Sequence, residues 1–294
     1  MELRQLRYFV AVAEERHFGR AARRLHMSQP PLSTQIRGLE DELGVRLFER
    51  STRRVALTDA GRAFLEQARR TLRTAEEARE AAASGAGGLA GTLEVGFVSS
   101  ATLSVLPDAL RLFRERFGGV TLELREMTSA QQVEALYAGE VRAGLARLPL
   151  EAPGISVEPV FEEPLLVALP AGHPLEELER VPMQEVVDQP LIFFTQRLVP
   201  GFHAQIVELY QQVGAFPKVA QHAVHLQTIV GLVASGIGVA ILPGSARKVR
   251  REGVSYRPLD AEGATSWLGL ATPADETSLL VENFARAVRE VAGS

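Results

Sequence analysis

From residue 92 to its end the chain alternates between strand-like and helix-like patterns, and this alternation constrains the fold more than any other feature. Short apolar runs lie at 92–97, 120–125, 143–147, 165–169, 191–194 and 239–242, and helical patterns lie at 106–117, 130–138, 202–213, 226–234 and 279–291. Strands that alternate with helices usually form a parallel sheet covered by helices. The sequence therefore predicts an α/β domain with a mostly parallel sheet, built as one body or as two lobes.

The first 58 residues show a different pattern, that of three short helices. Apolar side chains recur at helical spacing from Leu3 to Ala13, a second helix fits residues 19–25, and a third fits residues 29–43. Gly44 would end the third helix, and Ser28 is suited to cap its start.

A β-hairpin is predicted after the third helix. Apolar runs at 45–48 and 55–57 flank a polar, basic turn. Short helices separated by a tight turn and followed by such a wing are typical of a winged helix-turn-helix, whose third helix enters the major groove of DNA. The alternative is a small helical domain whose polar face is only solvated.

The candidate DNA-binding residues follow from this arrangement. On the third helix, polar and proline side chains lie opposite Leu32, Ile36 and Leu39. Glutamine can hydrogen-bond adenine, and an arginine pair at the wing tip suits phosphate or minor-groove contact. The predicted DNA-binding residues are Gln29, Pro30, Pro31, Ser33, Thr34, Arg37, Arg53 and Arg54.

The charge distribution agrees with an anionic partner for the N-terminal part alone. Residues 1–65 carry 12 Arg against 8 Asp and Glu, a net charge of +4, although the whole chain has a net charge of −4. A basic region on an acidic body favours binding of nucleic acid by that region.

A long helix is predicted over residues 59–83, capped by Thr58. Its apolar stripe runs from Ala60 to Ala82 and contains only two large side chains, Phe64 and Leu72. Such a helix needs a partner helix, most simply its own copy in a second subunit. Residues 84–91 are rich in glycine and indicate a hinge.

Several ungapped segments resemble the LysR-type transcriptional regulators. They are residues 4–14, 21–25, 28–33, 39–50 and 57–61, and the tripeptide Gln29-Pro30-Pro31 is most similar to the branch that controls degradation of benzoate, catechol and chlorocatechol. Many relatives have arginine where this chain has Thr34, so base contact there can differ.

The resemblance implies a domain plan and an assembly. It implies a DNA-binding domain at 1–58, a linker and dimerisation segment at 59–91 and an effector domain at 92–294 of the periplasmic-binding-protein type. Lobe I would comprise about 92–162 and 265–294, and lobe II about 163–264. It also implies a homo-oligomer, a dimer of dimers, that binds double-stranded promoter DNA and a small-molecule effector.

Two hydroxyl-bearing turns between a strand and a helix are candidate ligand contacts. Ser99, Ser100 and Thr102 follow the first predicted strand, and Thr128 follows the second. Such turns meet at the ligand crevice of open sheets, and their N–H groups favour an anion. The alternative is that these side chains only cap helices.

The resemblance adds further effector residues. It implies that Ser99, Thr128 and the turn containing Phe202 and His203 hold an aromatic or unsaturated carboxylate. It aligns Arg147 with an arginine at a second effector site, for which an ion pair between lobes is the alternative. His225 replaces an acidic residue of some relatives and is interpreted as a helix-terminal or core histidine.

Other functional classes find no support in the sequence. The chain has no cysteine and only six scattered histidines, and it lacks a phosphate loop or a Gly-x-Ser-x-Gly elbow. No signal peptide is visible, and the longest apolar stretch is shorter than the ~20 residues of a membrane helix. We therefore expect a cytoplasmic regulator without cofactor or metal, and neither an enzyme nor a secreted solute-binding protein.

Overall fold

A computed structural model describes residues 1–50, 55–83 and 90–293. Its internal contacts divide the chain into an N-terminal unit, mainly residues 1–85, and a C-terminal unit that contains most of the remainder.

The described residues of the N-terminal unit form four helices and the two strands of a hairpin. They are α1 (Leu3–Glu15), α2 (Phe18–Arg24), α3 (Gln29–Leu43), β1 (Phe48–Arg50), β2 (Val55–Leu57) and α4 (Asp59–Ala83). One hydrophobic core joins these elements, with Phe9, Leu32 and Ile36 fully buried at its centre. The three predicted short helices are confirmed, and α3 has the predicted bounds.

The ends of α3 are set by two different devices. Gly44 follows the helix with φ of 69°, a left-handed conformation that glycine adopts without strain. Ser28 occupies the N-cap position as predicted, but its side chain makes no capping hydrogen bond. The reason is that Pro30 and Pro31 have no N–H at the two positions that an N-cap side chain normally reaches.

The first strand of the wing is shorter than predicted. Strand β1 begins at Phe48 and pairs antiparallel with β2, whereas Val45 is 47% exposed. The backbone N–H groups of Leu47 and Phe48 donate to Oε1 of the buried Glu40, at 2.9 and 3.1 Å. The prediction of a strand from residue 45 was wrong because a carboxylate on α3 accepts hydrogen bonds that a strand partner would otherwise take.

The long helix α4 is confirmed, including its cap. The Thr58 hydroxyl accepts a hydrogen bond from the N–H of Gly61 at 2.9 Å. The first half of its apolar stripe is already covered within the same domain, since the Phe64 ring packs edge-on against Phe9 with centroids 5.0 Å apart and Ala68 is buried. The inference that the whole stripe needs a second subunit is therefore wrong for this half.

The C-terminal unit contains ten strands and six α-helices within its described residues. The strands are β3 (Gly91–Phe97), β4 (Val120–Glu126), β5 (Ala143–Arg147), β6 (Ile155–Pro170), β7 (Val181–Pro182), β8 (Leu191–Phe194), β9 (Val219–Ala223), β10 (Ala240–Pro243), β11 (Val254–Asp260) and β12 (Thr265–Pro273). The helices are α5 (Leu106–Arg116), α6 (Ser129–Ala138), α7 (Met183–Val186), α8 (Pro200–Gln212), α9 (Leu226–Ala234) and α10 (Leu279–Ala292).

The long strand β6 organises the sheet. The strand order is β4-β3-β5-β12-β6-β11-β7, with β10 also paired to β6, and β8 pairs with β9 separately. Strand β12 accompanies β6 as far as Pro164, and β10 and β11 accompany it from Leu165 onward. Two large hydrophobic cores result, one packed around α5 and α10 and the other around α8 and α9, and a smaller cluster lies beside α6.

The sheet is mixed, which corrects the prediction of a mostly parallel one. The pairs β3–β4, β3–β5, β8–β9 and β7–β11 are parallel. Strands β11 and β12 follow each other along β6 and run against it. Helical periodicity predicts crossovers between parallel strands, but it does not reveal a strand that returns beside a long neighbour.

Candidate functional site

The recognition face of α3 is exposed, and its opposite face is buried. Gln29, Pro30, Pro31, Thr34 and Arg37 are exposed and Ser33 is half-buried. Leu32, Ile36 and Leu39 have no exposed surface. This division is the one that the sequence predicted for a helix that contacts DNA with one face and its own domain with the other.

The helix that precedes α3 has an N-cap residue that the sequence analysis missed. His17 caps α2, and its Nδ1 accepts from the N–H of Gly19 at 3.0 Å. His26 has φ of 52°, and the N–H of Met27 donates to the Ala22 carbonyl at 3.0 Å. A polar residue directly before a short helix was the available signal for His17.

Several arginines of the N-terminal unit are engaged within it. Glu14 accepts from Arg24 at 2.6 Å and from Arg69 at 2.8 Å. Arg37 is exposed on α3, and its Nε donates only a long 3.4 Å bond to the Ser33 carbonyl. Arg53 and Arg54, predicted at the wing tip, lie outside the described residues.

A narrow cleft lies between the two large hydrophobic cores of the C-terminal unit and is lined by residues of both. Its unfilled space, including the open mouth, is about 590 Å³. The lining comprises Val98, Ser99, Ser100, Glu126, Met127, Thr128, Gln131, Arg147, Phe194, Val199, Phe202, Val224, His225, Leu226 and Pro243. A mostly apolar wall with a few polar groups is typical of a small-molecule site.

The first hydroxyl turn contributes two of its three predicted residues. Ser99 and Ser100 begin a 3-10 turn, Ser99–Leu103, and line the cleft. Thr102 is exposed and does not line the cleft, because its hydroxyl donates to the Ser99 carbonyl at 2.7 Å on the outer side of the turn.

The second turn brings Thr128 to the cleft and uses its neighbour for support. The N–H of Thr128 donates to Oε1 of Gln131 at 2.9 Å, and the N–H of Gln131 donates to the Thr128 hydroxyl at 3.3 Å. The buried hydroxyl of Ser129 accepts from the backbone N–H of Arg147 at 3.0 Å. The reciprocal Thr128–Gln131 bonds form a capping box that orients the N-terminus of α6.

Arg147 is buried in an ion pair at the back of the cleft. Its guanidinium donates to Glu163 at 2.9 Å, to the Ser266 hydroxyl at 3.2 Å and to the Ser100 hydroxyl at 2.7 Å. Burial lowers the pKa of the Arg147 guanidinium, and the facing Glu163 carboxylate opposes that shift. The second oxygen of Glu163 accepts from the N–H of Ser245. The ion-pair alternative is therefore present, and Arg147 also belongs to the lining of the cleft.

The predicted pair Phe202 and His203 is divided between two surfaces. Phe202 is buried and lines the cleft. His203 does not line it and stacks on Phe193 with centroids 4.2 Å apart. Successive residues of a helix point about 100° apart, so only one of the two can face the ligand. Burial, with the nearby His222, lowers the pKa of His203.

The mouth of the cleft carries one acidic residue that the sequence analysis missed. Oε1 of Glu126 lies 3.8 Å from Nδ1 of His225, the residue that precedes α9. The side chains are 54% and 65% exposed, respectively. His225 is the N-cap residue of α9, so the helix-terminal interpretation is confirmed and the core interpretation is wrong, and the residue also lines the cleft.

Metal and membrane sites were also considered within the described ranges. No group of three or more His, Asp or Glu side chains is arranged to hold a metal ion there. None of the helices in the same part of the chain is long and apolar enough to span a membrane.

Two protein-family models match the chain. One, described as "Bacterial regulatory helix-turn-helix protein, lysR family", matches residues 3–62. The other, "LysR substrate binding domain", matches residues 86–293.

Known proteins similar to this chain are regulators. It is 39% identical to the HTH-type transcriptional regulator AlsR of Bacillus subtilis, covering 97% of this chain and 94% of that protein. It is 37% identical to a probable cat1 operon transcriptional activator of Acinetobacter lwoffii, covering 99% and 96%. The solved structure of full-length CbnR with its target DNA matches with a TM-score of 0.72, at 30% identity and over 99% of this chain and 100% of that one.

These matches confirm the prediction that the chain is a regulator and not an enzyme. Because they extend over both the DNA-binding and the effector parts, the chain belongs to the LysR family of bacterial regulatory helix-turn-helix proteins and is a transcriptional regulator.

Proposed function

We propose that α3 reads promoter DNA and that the cleft binds an aromatic or unsaturated carboxylate, which controls how the protein acts on that DNA. The observation that carries the effector proposal is that the hydroxyl turns at Ser99 and Thr128 line one cleft together with Phe202. Hydroxyl and backbone N–H groups donate to a carboxylate, while Phe202 covers an apolar body.

The DNA-binding role rests on α3 and the wing. Gln29, Ser33 and Thr34 supply groups that can contact base edges, and the exposed Arg37 suits a phosphate. Arg53 and Arg54 are assigned to the DNA backbone on the sequence alone. We place the protein in the cytoplasm because its DNA is there.

The assembly is proposed as a dimer of dimers. The resemblance implies it, and the second half of α4, from Ala75 onward, is where the apolar stripe continues past the large side chains Phe64 and Leu72. A helix stripe of small residues suits close packing against a second copy. Light scattering on the full-length chain measures this directly, and a monomer would contradict it.

Base reading is tested by comparing two variants on two DNA molecules. On the DNA upstream of its own gene, Gln29→Ala should weaken binding by about 1–3 kcal/mol, with little change on random DNA. Arg53→Ala should weaken binding on both and flatten the salt dependence. Equal losses on both DNA molecules for Gln29→Ala would contradict base reading by this residue.

Effector binding is tested with benzoate, 3-hydroxybenzoate, 4-hydroxybenzoate and muconate on the full-length protein. Each compound that binds should raise the Tm and change the DNA footprint. Ser99→Ala should lose on the order of 1–2 kcal/mol of affinity, the contribution of a hydrogen bond to a charged group. Ser235→Ala removes an exposed hydroxyl outside the cleft lining and serves as the control.

The effector proposal can fail in two ways. If only neutral or cationic compounds raise the Tm in a wide screen, then the cleft does not bind an anion. If carboxylates bind but Ser99→Ala and Ser235→Ala behave alike, then the hydroxyl turn does not contact the effector.

A further inference from the structure

The charged side chains that line the cleft do not give it the net positive charge that would favour a ligand with a carboxylate as its only polar group. Among the lining residues of the described chain, the ionisable side chains are Glu126, Arg147 and His225. Arg147 faces Glu163 at 2.9 Å, and both side chains are at most 5% exposed, so their opposite charges largely cancel. Glu126 therefore contributes the main unmatched full charge, and it is negative.

Glu126 stands close to one of the proposed carboxylate contacts. It ends strand β4, two residues before Thr128, so the Cα atoms of the two residues are at most about 7 Å apart. A single-ring ligand whose carboxylate meets the hydroxyl turns therefore places another part of its ring near Glu126.

The Glu126 carboxylate retains capacity to accept a hydrogen bond. Among the described residues its ionic contact is with His225, and the separation of 3.8 Å exceeds hydrogen-bond distance. An ionised carboxylate only accepts hydrogen bonds, so it favours an O–H or N–H group of a ligand and repels a second carboxylate. His225 also lines the cleft and leaves the Glu126 oxygen atoms free to accept from a ligand at this separation.

Resting on the proposed function, we propose that Glu126 determines effector specificity, selecting a carboxylate that also carries a hydroxyl or amino donor over an unsubstituted carboxylate or a dicarboxylate. The donor groups of Ser99 and Thr128 hold the carboxylate, and Glu126 accepts from the substituent. The Glu126 oxygen atoms attract a hydroxyl or amino group of the ligand and repel a second carboxylate, and the specificity comes from this difference.

The test uses the full-length protein with benzoate, 3-hydroxybenzoate, 4-hydroxybenzoate and terephthalate. Binding is measured by isothermal titration calorimetry and by the shift in Tm. A hydrogen bond to a charged group corresponds to roughly a tenfold or larger change in affinity. The wild type should therefore prefer one hydroxybenzoate over both benzoate and terephthalate by about that factor.

The matched variants are Glu126→Gln and Glu123→Gln. Both remove one negative charge from β4, but Glu123 does not line the cleft. Glu126→Gln should strengthen terephthalate binding and reduce the preference for the hydroxybenzoate about tenfold. Glu123→Gln should keep the preferences of the wild type.

Each result supports or overturns the inference. If benzoate-type ligands bind but Glu126→Gln leaves their order unchanged, the inference is wrong while the carboxylate function stands. The same holds if the wild type prefers benzoate or terephthalate. If no carboxylate binds to the wild type or to Glu126→Gln, both the inference and the proposed function are wrong.

Discussion

Replacing Arg147 with methionine distinguishes an arginine that holds the domain together from one that mainly contacts the effector. Arg147 bonds to Glu163 on β6, Ser266 on β12 and Ser100 in the first hydroxyl turn. The substitution keeps most of the side-chain volume but leaves the Glu163 carboxylate, only 4% exposed, without its cation. Breaking a buried pair in this way costs about 3–5 kcal/mol.

The expected loss in the free energy of unfolding is large enough to measure by thermal or urea unfolding. At roughly 2–4 °C for each kcal/mol in a domain of this size, Arg147→Met should lower the Tm by about 6–20 °C. Trp267 adjoins Ser266 and belongs to the same domain, so its fluorescence follows the relevant unfolding step. The double variant Arg147→Met/Glu163→Met should recover part of the loss, because it leaves no unpaired buried charge.

The control is the second buried ion pair of the same domain. Arg142 and Glu276 are 3.0 Å apart and are 7% and 5% exposed. Arg142→Met should lower the Tm by a comparable amount without changing effector affinity. A loss below about 1 kcal/mol for Arg147→Met, the value of an exposed pair, would refute the structural role of Arg147.

Three further variants, the first with a matched control, test the packing and the charges of the fold. Gly61→Ala should destabilise the DNA-binding domain by about 1–3 kcal/mol in urea unfolding, because its Cβ would lie 2.1 Å from the Leu47 carbonyl oxygen, whereas Gly38→Ala meets no atom within 4 Å and should be neutral or stabilising. Phe64→Ala should lower the Tm of that domain by loss of the Phe9 contact, and a change confined to the oligomeric mass would contradict this. Burial, together with the charge of Glu123, raises the pKa of Glu94, so the folded protein loses stability as the pH rises through that pKa. Glu94→Gln should therefore raise the Tm at neutral pH, and the gain should vanish below the ordinary pKa of 4.5; a gain independent of pH would contradict the assignment.

The sequence predicted well the bounds of those elements that are set by residues at their own ends. The bounds of α3 follow from the prolines and Gly44 at its two ends, and the cap of α4 follows from Thr58. Strands β7, β9, β11 and β12 and the part of β6 before Leu165 were missed, because these strands depend on pairing with strands distant in the chain.

The candidate site divides in the same way. The resemblance to the LysR-type regulators supplied Phe202, whereas the sequence itself placed Ser99, Ser100 and Thr128 near one another because the carboxyl ends of neighbouring strands meet. The sequence could not assign Glu163 as the partner of Arg147 or place Glu126 at the mouth, since both depend on how β4 and β6 are positioned in space. Whether Ser99 and Thr128 contact an effector stays a prediction.

The two prolines in the first turn of α3 alter what that helix end can offer to DNA. The first turn of a helix usually presents several free N–H groups, which can bind a phosphate. Pro30 and Pro31 have no N–H group and present ring carbons there instead, and both are exposed. Such carbons suit the C5-methyl group of thymine in the major groove. We therefore expect this helix end to sense methyl groups, so that replacing single thymines of the binding site by deoxyuracil would locate its position on the DNA.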